Sequence, residues 1–253
     1  MNDIDNIQVA TYRVNGFYFE QLDVDEQMEY KRIASAVAHY APTAEIEATD
    51  SIKKICSAIQ LDNPELFYWN VGKTGLHDGK LELKYTTTEK RDAEGLVHKV
   101  RHQVRRDIVE KLMNEKENVD KKEFLKKIYF YLCNNNRYAD EEFEKKKPRA
   151  WLYTIQGALL NGMGTSLSLA LALNYLLEIG GIDTILMTGT VLRNGKTVQN
   201  AWNLVRLDGK YYHIDAGSQM MEKTDDPEAY FLLKDENLKE LGYEWSAEVY
   251  PQA

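Results

Sequence analysis

Apolar residues follow two rhythms along this chain. Over residues 22–40 (LDVDEQMEYKRIASAVAHY) they recur three and four positions apart, which predicts a helix. Asp23 stands at its N-cap with Glu26 three residues on, a capping-box arrangement. Residues 49–60 predict a second helix, capped by Thr49, Asp50 or Ser51. Pro64 disfavours helical geometry in the residue before it and so closes that helix. The runs LFYWNVG (66–72) and KLELKYTTT (80–88) predict two strands. In the second, Leu81, Leu83 and Tyr85 alternate with Glu82 and Lys84, which leaves one face wet. Lys73-Thr74-Gly75 and His77-Asp78-Gly79 supply turn residues between them.

Residues 89–117 form a strongly charged helical pattern with Val97, Val100, Val104, Ile108 and Leu112 as its inner stripe. Residues 120–135 predict another helix, with Phe124, Ile128 and Tyr131 or Leu132 inward and Asn134-Asn135-Asn136 at its end. The mixed-charge run 141–147 predicts an exposed loop before Pro148. An apolar helix then opens near Thr165 and is closed by Glu178, Gly180 and Gly181. Three strands are expected near 183–191, 198–207 and 210–215. Asn194-Gly195 and Asp208-Gly209 are two-residue hairpin signals, so an antiparallel meander behind a helix is predicted. No internal repeat or clear linker is visible. A soft boundary divides an N-terminal helical and hairpin extension (1–118) from the region that carries the chemistry (119–253). The fold class predicted is α+β.

Composition narrows the function. Of 253 residues 43% are apolar, enough for a sizeable core. Sixteen Tyr and four Trp argue against disorder. The net charge of −8, without a long basic run, argues against a nucleic-acid partner. Lys99, Arg101, Arg105 and Arg106 cluster, and read as a solvated helix face. Cys56 and Cys133 fall in helical apolar patterns and read as lone packed thiols rather than a disulfide framework. The five His are scattered without ligand spacing, so neither a metal nor another cofactor is expected. No stretch has the length of a membrane span, and the N-terminus lacks the basic start and apolar core of an export signal. The simplest expectation is a cytoplasmic protein. A chain trimmed of its export signal would read the same.

The chemistry concentrates in residues 157–217. A Gly-rich turn ends in Gly164-Thr165-Ser166 and opens the apolar helix. One strand carries Asn200-Ala201-Trp202-Asn203, and the next carries His213-Ile214-Asp215. Taken singly, Ser166 reads as a helix-capping residue, Asp215 as a turn residue and Trp202 as core. His213 lies two residues before Asp215 on the same strand face, and reads as a structural or rim residue. Pairing it with Ser166 as a base is the rival reading. Met163, Met187, Met220 and Met221 read as packing or cleft-edge residues.

Order and spacing together resemble the bacterial transglutaminase-like superfamily, which shares a papain-like core. In that family the turn reads Gly-x-Cys, the next motif is His-Ala-Trp-Asn, and an aromatic strand ends in Asp. Here the matching text is Gly164-Thr165-Ser166 with Leu169-Ala170 on the helix, then Asn200-Ala201-Trp202-Asn203, then Tyr211-Tyr212-His213-Ile214-Asp215. LKKIYFYLCNNNRYA and YFLLKDENL resemble the segments that flank the family's core. The resemblance implies that Ser166, Asn200 and Asp215 occupy the places of a thiol, an imidazole and its orienting carboxylate. It also implies that Gly164, Thr165, Trp202 and His213 border the cleft. A thiol at a helix N-terminus ionises readily, an imidazole carries its proton, and a carboxylate fixes the ring. Ser166 keeps its proton unless a base removes it, and Asn200 does not titrate in the useful range. Asp215 can still accept from the Asn200 amide. The expectation is a degenerate triad in a catalytically inactive protein whose cleft binds a peptide or protein partner. The alternative is an acyl transferase or peptidase-like hydrolase that uses Ser166 with a non-standard base.

Overall fold

The structure is a computed structural model that describes residues 8–47, 50–110, 120–140, 149–222 and 224–253. The chain divides into two compact units, Met1–Arg101 and His102–Ala253. The boundary expected near 118 lies outside the described residues, as do Thr49, Leu112 and the run 141–147.

In the first unit, α1 (Val24–Ala38) starts at Asp23, and the predicted capping box is present. Tyr30, Ile33, Ala34 and Val37 form its inner stripe, all fully buried. Helix α2 (Ile52–Asp62) follows Ser51, whose side chain makes no capping bond. A three-stranded antiparallel sheet has the order β1 (Thr43–Glu45), β3 (Lys80–Glu82), β2 (Gly75–His77). Asp78 and Gly79 make the β2–β3 turn, both at positive φ, the backbone twist a two-residue hairpin requires. The strand expected over 66–72 is absent. That stretch forms two 3₁₀ turns, Pro64–Leu66 and Val71–Lys73, and only Trp69 bridges to Tyr85. Leu66, Phe67, Tyr68 and Trp69 are all buried in succession. A strand would turn alternate members of such a run to opposite faces, whereas a turning chain sends all four inward. The strand predicted over 80–88 is likewise shorter, ending at Glu82. Helix α3 (Lys90–Gln103) runs on past the end of this unit and continues as π-helical turns over Val104–Glu110, which belong to the second unit. Val97, Val100, Val104 and Ile108 are buried as predicted, while Lys99, Arg101 and Arg106 are exposed.

The second unit is built around one apolar helix. Helix α4 (Lys121–Asn135) buries Phe124, Ile128 and Leu132. A two-stranded parallel pair joins β4 (Arg137–Tyr138) to β5 (Met163–Gly164), with the short α5 (Ile155–Leu160) between them. Helix α6 (Ser166–Ile179) follows, with residues 168–177 all buried. Strands β6 (Thr184–Arg193), β7 (Lys196–Leu207) and β8 (Lys210–Ile214) form the predicted meander. The turns Asn194-Gly195 and Asp208-Gly209 have positive φ at every position. Helix α7 (Ala216–Glu222), β9 (Phe231–Leu233), α8 (Asp235–Glu240) and β10 (Tyr243–Glu244) complete a five-stranded antiparallel sheet in the order β10-β6-β7-β8-β9. The sheet has two covered faces. Asn203 on β7 donates from Nδ2 to the Ala170 carbonyl at 3.0 Å, which ties one face to α6. Trp202 points the other way, into a cluster with Met187, Leu204, Leu238 and Tyr243. The observed class is thus α+β. Among the described residues no helix is long and apolar enough to cross a membrane.

Candidate functional site

The N-terminus of α6 is set by its own sequence. Thr165 is the N-cap; its Oγ1 accepts from the Ser168 amide at 3.4 Å and donates to the Leu152 carbonyl at 3.2 Å. Ser166, expected as a cap, is instead the first helical residue. Gly164 is demanded by packing, because a Cβ there would stand 2.5 Å from Ser168 Oγ. Ser168 is itself fully buried and donates to the Thr154 carbonyl at 2.7 Å.

The three predicted positions converge. Asn200 Nδ2 donates to Asp215 Oδ2 at 2.8 Å. A Cβ on Gly217 would lie 3.2 Å from Asp215 Oδ1 and 3.3 Å from the Ser166 Cα, so the start of α6 abuts the Asp215 turn. Ser166 and Asn200 both line a cavity of about 880 Å³, and Asp215 stands behind Asn200. Thr165 lines the same cavity. Gly164, Trp202 and His213 do not.

Asp215 is held by more than Asn200. Its Oδ1 accepts from the Ser218 amide at 2.8 Å, which makes it the cap of α7. Its Oδ2 also accepts from Ser218 Oγ at 2.6 Å and from the Tyr243 hydroxyl at 2.7 Å. Burial, and then the Asp215 charge, push the Tyr243 hydroxyl far above its ordinary range, so it stays a donor. Behind these groups Arg193 Nη2 donates to Ser218 Oγ. Sequence reasoning missed Arg193, Ser218 and Tyr243. The Asp-x-x-Ser spacing is a helix-start signal that points to Ser218. Arg193 sits beside the predicted Asn194-Gly195 turn, but nothing in the pattern marks Tyr243, which arrives from β10.

No basic side chain among the described residues is hydrogen-bonded to Ser166 Oγ. His213 is committed elsewhere. Its Nδ1 accepts from Trp202 Nε1 at 3.1 Å and its Nε2 faces Asp235 Oδ1 at 2.9 Å. Only 1% of it is exposed, and burial lowers its pKa despite the Asp235 carboxylate. Both Trp202 and His213 therefore belong to the core beyond the sheet rather than to the cleft, because β7 and β8 turn these positions away from α6. The Cys133 thiol packs 4.0 Å from the Ala216 carbonyl, and burial with the Asp215 charge pushes it up to about 12. It is a protonated thiol at neutral pH. Cys56, also raised to about 12 by burial, lies in α2 of the other unit. Among the described residues no group of three or more His, Cys, Asp or Glu is arranged to hold a metal ion.

The cavity therefore joins a helix N-terminus, a hydroxyl and a carboxamide backed by a carboxylate. It can orient and hydrogen-bond a ligand.

No family model and no curated protein matches the chain. Among solved structures, a transglutaminase crystal structure resembles it with a TM-score of 0.37 at 15% identity, over 62% of this chain and 38% of that one. A candidate protease from Parabacteroides distasonis does so with a TM-score of 0.33 at 13% identity, over 62% and 36%. The chain spans little more than a third of the length of either.

Proposed function

We propose that this protein is a catalytically inactive relative of the transglutaminase-like enzymes, with a papain-like core whose cleft holds a peptide or protein partner. The observation that carries this reading is the Asn200–Asp215 bond. A carboxylate placed to orient an imidazole instead receives an amide N–H, and an amide cannot carry a proton between nucleophile and leaving group. Ser166 has the helix N-terminus that activates a thiol, yet a hydroxyl needs a base, and among the described residues no basic side chain is hydrogen-bonded to it. His213 and Cys133 offer no substitute, since one is locked in the core and the other is held protonated.

The test is an amide-exchange and proteolysis assay on the purified protein, with the doubly substituted Ser166→Cys, Asn200→His protein as the control. The unmodified protein is expected to be inert in both assays. Turnover by the unmodified protein, abolished by Ser166→Ala, would overturn inactivity and establish a serine-dependent acyl transferase or hydrolase.

A further inference from the structure

Two residues that line the cavity each carry a buried polar atom without a hydrogen bond among the described residues. Asn200 is 4% exposed, and its Oδ1 has no hydrogen-bond partner among the described residues. The Arg193 side chain is 12% exposed, and its Nε forms no hydrogen bond either. That Nε lies 3.3 Å from Glu222 Oε1, an ion pair without hydrogen-bond geometry, and the Glu222 side chain is 43% exposed. Both Arg193 and Glu222 line the cavity, beside Lys196 and the start of α6.

Resting on the binding-cleft reading above, we infer that the cavity recognises a peptide through a carboxylate seated on Arg193, with Glu222 occupying that seat when the cleft is empty. A largely buried guanidinium whose Nε–H makes no hydrogen bond calls for an acceptor, and a planar carboxylate matches its fork. The exposed Glu222 carboxylate already shows the chemistry that fits there, in a 3.3 Å contact that falls short of hydrogen-bond geometry and that a ligand with free choice of geometry improves. Ser218 Oγ accepts from Nη2 and fixes the plane of the guanidinium. The N-terminal end of α6 and the Lys196 ammonium add favourable potential for an anion. The cavity's other charges, Asp140 and Glu222, offset those of Arg193 and Lys196. This balance suits a singly charged carboxylate better than a doubly charged phosphate. A volume of about 880 Å³ is within the range of small-ligand clefts and accommodates a few residues.

The carboxylate can be a chain terminus or an acidic side chain, and three short probes separate these sources. One is N-acetyl-diglycine with a free carboxylate, the second its C-terminal amide, the third N-acetyl-aspartic amide. Each is titrated into the isotope-labelled full-length protein, and the backbone amides of Ser166 and Leu167 and the side-chain resonances of Arg193 and Asn200 are followed. The inference expects saturable shifts from the first or third probe and none from the second. Arg193→Gln should weaken binding by about tenfold, the loss of one charge-assisted pair. Glu222→Gln should tighten it by about two- to threefold by removing the internal competitor. Glu222 is half exposed, so that variant tests the inference even if Arg193→Gln loses its fold. Equal binding of the amide-capped probe would overturn carboxylate recognition while leaving a peptide cleft in place. No response to any probe, or weaker binding in Glu222→Gln, would overturn it as well. Turnover in the assays above would refute inactivity without touching the carboxylate site.

Discussion

Asn200 gives its amide N–H to Asp215 at 2.8 Å and keeps its carbonyl oxygen buried with no hydrogen-bond partner among the described residues. An imidazole in this place would be a base steadied by a carboxylate. The carboxamide is a fixed donor, and the carboxylate becomes a structural acceptor shared with the cap of α7 and the Tyr243 hydroxyl.

Asn200→Asp is the sharpest test of that relationship. The change removes a donor and sets a second carboxyl beside Asp215. Two neighbouring carboxylates cannot both ionise at low cost, so the introduced carboxyl holds its proton to higher pH than usual. The variant should be destabilised at pH 7 by about 2–4 kcal/mol, from a lost buried bond and like-charge repulsion. The loss should shrink as pH falls and the proton returns. Urea midpoints at pH 7 and pH 5, compared with the unmodified protein, measure this.

Gly164→Ala tests the packing at the start of α6. Its Cβ would fall 2.5 Å from Ser168 Oγ and 2.8 Å from Ser168 Cβ. Ser168 is fully buried and bonded to Thr154, so it cannot swing clear. A destabilisation of about 1–3 kcal/mol is expected, as for other overpacked sites. Thermal unfolding reads it, and the amide resonance of Ser166 should shift with it.

His213→Phe removes both ring bonds while keeping an apolar ring. Trp202 Nε1 and Asp235 then lose a partner, at a cost of about 1–3 kcal/mol. The pH dependence follows from the lowered pKa of His213. Below about pH 6.5, the ordinary histidine value, the unfolded chain takes up a proton that the folded chain refuses. The wild-type fold therefore loses stability as pH falls from there towards the folded pKa, and the variant lacks that loss. The gap between the two proteins should be widest near pH 8 and narrow on acidification.

Asp62 in the first unit gives the opposite slope. Its carboxylate accepts from the Tyr18 amide at 3.1 Å, the Phe19 amide at 2.8 Å and the Tyr30 hydroxyl at 3.3 Å. Burial outweighs these donors and raises its pKa from 3.8 to about 6. Between those values the folded chain keeps a proton that the unfolded chain has released, so this contribution to stability falls as pH rises from 3.8 to about 6. Asp62→Asn has no such titration. The gap in urea midpoint between the two proteins should narrow over that interval and stay constant above it. An offset of about 1–3 kcal/mol from the lost second acceptor oxygen should persist.

Much of the fold was legible because its signals are local. Asp23 and Glu26 mark the start of α1 by chemistry within one turn. Asn194-Gly195 and Asp208-Gly209 specify hairpins because those backbone angles suit few other residues. The stripe from Val97 to Ile108 shows as helical spacing. The run 66–72 misled because aromatic and β-branched residues suit both a strand and a buried turn, and burial of four in succession is decided by what surrounds them. Order and spacing singled out Ser166, Asn200 and Asp215 as candidates, and the meander brings the last two side by side.

The face that each strand residue presents was not legible. Alternation says that Trp202 and His213 share a side, but not whether that side meets α6 or the C-terminal elements. Arg193 and Tyr243 likewise reach the Asp215 network from β6 and β10, far apart in the chain. The sequence by itself determined most of the elements, their order and the presence of a hydroxyl at Ser166 and a carboxamide at Asn200, because each is written in neighbouring residues or in residue identity. Only the tertiary structure decided that Asp215 is a fully engaged acceptor, that His213 is locked in the core, and that Arg193 and Asn200 line one cavity. Hydrogen bonds between distant segments and the exclusion of water depend on how the sheet is covered, and local spacing does not encode that.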